Sequence, residues 1–512
     1  MKGDSNFRIV NAVQNISFVK STKNMVSETV LEDTTSSEWD YIIIGAGIAG
    51  AVTLEQLVEK YGTTKKILVL ERQNEIGGCV KSYERDYGET IFANHEDRRI
   101  LEMGGMRYFK RWMVNVEHYR KKYGLTSKEV VVTQDNNLLL SRGELKLQRD
   151  EEYMDRVTKH ASEKLSGEHS LGSGVSLADA FLDMRVMKKI YNNNLSSQNF
   201  ASYLVPSTIT DQEFDLVNQN LGYEGFIDSS IAAAVSLWEV VELNTQIQDI
   251  IIEGFQTMVD KIFTSNGLDT TQNNTGNAIE LRTGTNVEKV DGNRLITNHG
   301  EFQGKNFIWT IPPHFLKKIG EISSMEPKIM DELQYGFWDF RATKIFLFYD
   351  APWWDPKLVG RQLLDNPIGQ LWIWDDKTLL IYSVDESAKY WQHSLNIDPQ
   401  ASYGKYIDIQ PQIEIMPDWY TNRVLPLISK VIPIEKKNPL TGYAVSMWND
   451  NIPFWKGRQH QTYGNILERR DRIRFPFPSK NHVYIANATG LQQGWVEGSI
   501  AEVLDVFSEF DI

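Results

Sequence analysis

Tyr41-Ile42-Ile43-Ile44-Gly45-Ala46-Gly47-Ile48-Ala49-Gly50 is the stretch on which the fold turns. Tyr41 to Ile44 is a short apolar run, rich in β-branched residues and closed by glycine, which predicts a buried strand. From Ile48 to Tyr61 the apolar residues Val52, Leu54, Leu57 and Val58 recur at helical spacing. Ile67-Leu68-Val69-Leu70 predicts a second buried strand. Strand, helix and strand within about thirty residues imply a parallel sheet covered by helices. The glycines between them fit a GxGxxG turn. Gly45 permits the tight turn, Gly47 lets backbone approach a pyrophosphate, and Gly50 allows close helix–strand packing. The helix N-terminus, with Ala49 in its first turn, supplies amide donors and partial positive charge. Glu71 ends the second strand 21 residues after Gly50, placed to accept from ribose hydroxyls. The bland reading is a glycine-rich loop of an ordinary α/β domain. Strand, helix and acid in register outweigh it, and a dinucleotide is expected here.

The rest of the chain sets the frame. It has 512 residues, a formal net charge of −14 and 41 % hydrophobic content, which describes a globular protein of two to four units. An acidic balance argues against nucleic acid, whose binders show a basic patch. No run approaches the roughly 18 apolar residues of a membrane span. Cys79 is the single cysteine, so no intramolecular disulfide or cysteine-rich zinc module is expected. The nine histidines lack metal-ligand spacing and neither HExxH nor CxxC occurs, so no metal is expected, and no Gly-x-Ser-x-Gly nucleophile elbow is present. The N-terminus lacks the apolar core of a secretory signal, which predicts a cytoplasmic protein unless a leader was removed.

Residues 1–38 are polar and end in a Ser/Thr/Glu-rich run, as in a surface arm. Residues 111–243 carry long charged stretches with apolar residues three and four apart, predicting an inserted, mainly helical region. Short strands return from Asn277 to Ile311 around Asn-Gly and Asp-Gly turns. A strand-rich, aromatic section follows from Phe340 to Trp448, and a strand, a glycine turn and a helix close the chain.

After Glu71 come Arg72 and a glycine pair, Gly77-Gly78, which resembles FAD-binding rather than NAD-binding proteins. The run Leu101-Glu102-Met103-Gly104-Gly105-Met106-Arg107-Tyr108-Phe109 makes the likeness specific. Together with Gln493-Gly494-Trp495-Val496-Glu497-Gly498 it resembles the flavin amine oxidases, in their L-amino acid oxidase branch. Arg341 to Leu347 followed by Pro352-Trp353-Trp354, and the shorter Glu253-Gly254-Phe255-Gln256 and Thr310-Ile311-Pro312-Pro313, are similar to further landmarks of that family. The resemblance covers about residues 39–508. It implies non-covalent FAD held by Gly45, Gly47, Ala49, Gly50, Glu71, Arg72, Gly77, Gly78, Gly104, Gly105, Met106, Arg107, Val287, Asn487, Trp495 and Val496. Two departures stand out. Cys79 occupies a position where the family carries arginine, and Asn487-Ala488-Thr489 replaces its Gly-Thr-Glu.

Arg107 taken alone reads as a surface or an ion-paired arginine. The glycine pair before it changes that, because close backbone packing aims the guanidinium inward, and its planar fork matches a carboxylate. In the resembled branch it binds the substrate α-carboxylate. Lys344 alternates with Phe346 and Phe348 in a strand. A lysine on such a face is paired, at an edge, or depressed in pKa by desolvation; the resemblance implies that it holds a water against flavin N5. Trp495 is the implied aromatic wall beside the flavin, with Gly494 at the substrate. Trp455 and Tyr443 are candidates for the opposite wall, and no general base is named.

These readings predict a Rossmann-like FAD-binding domain, discontinuous over 39–110, 244–320 and 465–512. A mixed-sheet substrate domain is expected at 321–464, with the helical insertion at 111–243. The expected activity is oxidation of an L-amino acid by FAD and O2 to 2-oxo acid, ammonia and hydrogen peroxide. An amine or polyamine oxidase, an amino-acid monooxygenase, and a non-catalytic flavin-fold binding protein are the alternatives. A homodimer is left open.

Overall fold

The computed structural model describes residues 38–85, 99–132, 136–147, 192, 199, 210, 229–233, 247–396, 403–409, 418–433, 440–456 and 464–510. The N-terminal arm and most of the helical insertion lie outside them.

Two sheets organise these residues. The first has seven strands, and its centre is the parallel set read from the opening motif. Strand Trp39–Ile44 pairs in parallel with Ile67–Leu70 on one side and Gly300–Trp309 on the other. Ile279–Arg282 and His482–Tyr484 extend the parallel part, so segments far apart in sequence share one sheet. Val287–Asp291 and Arg294–Thr297 add an antiparallel edge, joined through the Asp-Gly turn at 291–292. Helix Ile48–Tyr61 starts and ends where its periodicity places it, because Gly47 opens it and Gly62 closes it. It packs against helices Phe255–Ser265 and Val496–Glu509. Strands covered in this way are apolar on both faces: Ile42, Ile43, Ile67, Leu68 and Val69 are fully buried.

The second sheet has eight strands, built on the long pair Phe337–Tyr349 and Leu440–Trp455. Its alternation divides two cores. Phe346, Phe348, Leu380, Ala444 and Trp448 join the main core that continues under the first sheet. Ile345, Leu347, Leu379, Ile381, Val445 and Met447 face the other way, onto Trp391 and Tyr420. The fold is therefore an α/β parallel sheet covered by helices with a mixed second sheet, as the sequence suggests.

One part of the helical reading fails. Residues 127–147 hold three strands, Ser127–Val131, Leu138–Ser141 and Glu144–Leu147, and the last two form the edge of the second sheet. Elements of four or five residues are too short to show a decisive period, and long-range pairing set their state. Among the described residues no helix is long and apolar enough to cross a membrane.

Candidate active site

A cavity of about 630 Å³ runs from the C-terminal ends of the parallel strands to the face of the second sheet. That volume suits a small-molecule or cofactor site. Glu71, Arg72, Val287, Phe315 and Lys318 line one end; Gly45, Gly47, Ala49, Gly78 and Cys79 line the middle. Gly104, Gly105, Met106, Arg107, Lys344, Asn487, Gly494, Trp495 and Val496 line the other end.

The glycine loop is shaped by contacts that exclude side chains at two positions. Gly45 has φ +110°, and a Cβ there would sit 2.7 Å from Thr310 Oγ1. A Cβ on Gly50 would lie 2.0 Å from the Gly45 carbonyl oxygen. Gly50 and Gly77 thus shape the site without lining it; Gly77 donates its N–H to the Ala46 carbonyl and bridges to Gly47. No side chain caps the helix that begins at Ile48, nor the helix that begins at Val496, so two helix N-termini open on the cavity. Such ends attract anions. Glu71 has a second task beyond its expected one. Its carboxylate accepts from Ala46 N (2.9 Å) and Gln73 N (2.8 Å), which latches the loop. Burial pushes its pKa up, against those two bonds. Arg72 lies 4.2 Å over the Phe315 ring, so the acid end also has a flat, cationic wall.

At the two departures from the resembled family the structure shows the following local contacts. Burial and the nearby Glu71 charge push the Cys79 thiol up to about 12, so it stays neutral. Its carbonyl accepts the Gly105 N–H at 2.9 Å, tying the two glycine segments together. Asn487 holds the turn before the last helix. It accepts from Gly494 N (2.8 Å) and donates to the Trp495 carbonyl (2.8 Å).

At the far end Arg107 is buried, its guanidinium 4.6 Å from the centre of the Trp372 ring. Lys344, 2 % exposed, donates to the carbonyls of Glu102 (2.9 Å) and Gly104. Burial pulls the Lys344 pKa down, a nearby Glu102 opposes this, and Arg107 adds to it. Trp495 stands edge-on to Phe109, with ring centres 5.5 Å apart. Its indole N–H is buried and meets no acceptor among the described residues.

The guesses for the opposite wall are corrected. Tyr443 belongs to the other core, packed on Trp419, because odd positions of its strand face away from Lys344. Trp455 is fully buried between Phe337 (4.3 Å) and the Arg469 guanidinium (4.8 Å). Its neighbour Phe454 lines the cavity instead. Among the described residues, Tyr382 and Trp448 line the cavity with Lys344, whose Nζ is 5.3 Å from the Tyr382 ring centre. Register explains Tyr382: Lys344 pairs with Tyr382 on one side and with Ser446 on the other. Trp448, two residues beyond Ser446, shares its face.

An acid at one end, glycine-lined helix N-termini in the middle, and a buried indole N–H with no acceptor among the described residues at the other match a dinucleotide with a ring at its tip. Among the described residues no cluster of His, Cys, Asp and Glu could hold a metal.

Known structures share this architecture. A putrescine oxidase bound to putrescine superposes with a TM-score of 0.63 at 13 % identity, covering 92 % of this chain and 99 % of that one. A cyclohexylamine oxidase from Brevibacterium oxydans IH-35A gives 0.62 at 14 % identity, covering 93 % and 100 %. A family profile described as flavin containing amine oxidoreductase matches residues 46–502. Spanning nearly all of the sheet, loop and cavity residues above, that match makes the chain a member of the flavin-containing amine oxidoreductase family, with FAD as its cofactor.

Proposed function

We propose that this flavin amine oxidoreductase oxidises an L-amino acid, giving 2-oxo acid, ammonia and hydrogen peroxide. The observation that carries the reading is Arg107: a buried guanidinium, 4.6 Å from the centre of the Trp372 ring and lining the same cavity as Lys344 and Trp495. A planar guanidinium at a buried cavity wall offers a carboxylate a bidentate, charge-assisted pair.

Bound FAD supplies hydride acceptance and the return of electrons to oxygen. The protein's part is orientation and charge. Arg107 grips the carboxylate, while Trp495, Tyr382 and Trp448 confine the amine between aromatic surfaces. Lys344 near the amine site disfavours a second cation, so the substrate ammonium gives up its proton more readily there. The adenosine end is served by Glu71, Arg72 and Val287, the pyrophosphate by Gly45, Gly47 and Ala49, and the ring by Gly104, Gly105, Met106, Asn487, Gly494 and Val496. A neutral Cys79 thiol at the pyrophosphate supports non-covalent binding.

The direct test is product analysis of the purified protein given amino acids and their decarboxylated amines. Oxo acid with peroxide supports the reading. Turnover of amines alone, or carbon dioxide with amide from amino acids, refutes it.

Lys344 provides a second check. Two of its three ammonium hydrogens are taken by Glu102 and Gly104, leaving one for the cavity. If that hydrogen positions water for the oxidative half-reaction, Lys344→Met should slow reoxidation by oxygen far more than anaerobic reduction. Stopped-flow traces of the two half-reactions decide it. Equal slowing of both, or of neither, assigns Lys344 to structure.

A further inference from the structure

Gln493 is fully buried and does not line the cavity, yet both ends of its amide hold peptides that flank residues which do. Its Oε1 accepts the Trp455 N–H at 2.8 Å, and its Nε2 donates to the Ala488 carbonyl at 2.8 Å. The first partner is the N–H of the peptide joining Phe454 to Trp455, at the end of strand Leu440–Trp455. The second lies in the turn before the last helix, where Asn487 and Ala488 line the cavity. One amide therefore ties the second sheet to the loop that carries Gly494 and Trp495.

The strand needs such a tie at this point. Strand Tyr403–Ile409 pairs with it only between Tyr443 and Trp448. Farther along, at Trp455, the N–H goes to Gln493 and the carbonyl accepts the Ser230 N–H at 2.8 Å. A buried edge N–H left without an acceptor is costly. An amide of this length supplies the acceptor and still has a donor for Ala488; a methionine supplies neither, and an ionised glutamate supplies no donor.

The consequence falls on Phe454. It is buried, lines the cavity, and is backed by Trp338 with ring centres 5.7 Å apart. Its ring tip abuts the backbone on the other side: a Cβ on Gly494 would sit 2.6 Å from Phe454 Cζ. Gly494 is itself held, because its N–H donates to Asn487 Oδ1 at 2.8 Å. We propose that Gln493 is a positioning residue for substrate size. By fixing the Phe454–Trp455 peptide against the Ala488 turn, it keeps the Phe454 ring on Gly494 and limits the bulk of the side chain admitted beside Trp448 and Trp495. This role rests on the placement of substrate at that end of the cavity, and not on the substrate carboxylate.

The experiment uses the flavin-loaded protein and two pairs of probes: L-leucine with L-tryptophan, and their decarboxylated amines, isoamylamine with tryptamine. Within each pair the ratio of kcat/KM, bulky over small, is measured. Where a probe is not turned over, its Kd from the perturbed flavin spectrum takes the place of kcat/KM. Gln493→Met keeps the length and loses both hydrogen bonds, so it should raise the ratio by about tenfold or more, the scale on which an apolar pocket separates side chains of different size. Phe454→Ala should raise it at least as far. Gln493→Glu adds a signature that loosened packing alone does not give. Its protonated acid donates to Ala488 and accepts from Trp455, so at low pH the ratio should match wild type. As the carboxyl ionises the donor is lost, and the ratio should climb towards the Gln493→Met value, with a midpoint raised by burial. The wild-type ratio should stay flat with pH, since Lys344 and the substrate amine titrate alike for both members of a pair. Should Gln493→Met lose its flavin, the pH trend of Gln493→Glu carries the test. A lowered melting temperature with unmoved ratios overturns the proposal, and so does a Gln493→Glu ratio that stays at the Gln493→Met value at every pH. Turnover of the amines alone refutes the amino-acid reading, and the amine pair then judges Gln493.

Discussion

Arg107→Ala should lower kcat/KM for an L-amino acid by about 30-fold to several-thousand-fold, while leaving the matching decarboxylated amine nearly untouched. The range follows from the roughly 2–5 kcal/mol lost when one partner of a buried, charge-assisted pair is removed, at about 1.4 kcal/mol per decade. The geometry favours a large effect. The guanidinium is buried 4.6 Å from the centre of the Trp372 ring, a contact that restricts the side chain before substrate arrives and reduces the ordering cost of binding. A carboxylate held equally in ground and transition states puts most of the loss in KM. Arg107→Lys keeps charge but loses the planar fork, so it should fall between the two. Removing Arg107 also removes a cation that depresses Lys344, so the kinetic pH profile should move upward in the alanine variant. Amines have no carboxylate to lose, and the change spares them a buried like charge. Equal losses on amino acids and amines would sink the carboxylate clamp and favour simple amine oxidation.

What could be read from the sequence separates along one line, local against non-local. The glycine turn, helix Ile48–Tyr61 and Glu71 were legible because their geometry is set within thirty residues. Arg107 and Trp495 reached the cavity through motifs that are likewise continuous in sequence. The facing aromatic residues were not legible, because their placement is a matter of strand register. Tyr382 faces Lys344 only because strand Thr378–Val384 pairs at that offset, and Trp448 only because Ser446 lies opposite Lys344. A slip of one residue turns a strand's side chains to the other face. That is the error in both failed guesses: Trp455 is one place from Phe454, and Tyr443 has the wrong parity relative to Ser446. Alternation of Ala444, Ser446 and Trp448 was a usable signal, had the register been known. Gln493 lay in plain view inside the closing glycine-tryptophan motif, but its partners Trp455 and Ala488 come from a distant strand and an earlier turn. The strands at 127–147 were missed because each is too short to carry a period.

Gly47→Val should give a folded protein that retains no flavin, and the structure singles this glycine out as the clean place to ask. Gly45 and Gly50 are unsuitable, because a side chain at either collides with the turn itself, at 2.7 Å and 2.0 Å. Gly47 is different. Its φ of −81° is open to any residue, and a Cβ would stand 3.7 Å from Gly78 Cα and 3.9 Å from the Gly77 carbonyl oxygen, both ordinary contacts. The loop therefore tolerates the first carbon, and the valine methyls extend into the cavity where the pyrophosphate approaches the helix N-terminus. Circular dichroism and melting temperature should stay close to wild type, while the visible flavin bands disappear from the purified protein. Glu71→Ala offers a graded contrast. It removes hydrogen bonds to a charged group, worth about 1.5–3 kcal/mol, which is roughly a tenfold to 150-fold weaker Kd. It also frees the Ala46 and Gln73 N–H groups, so added FAD should restore binding in Glu71→Ala but not in Gly47→Val. Full flavin occupancy in Gly47→Val would mean that the pyrophosphate does not pass this loop, and the glycine motif would then have to be explained by packing alone.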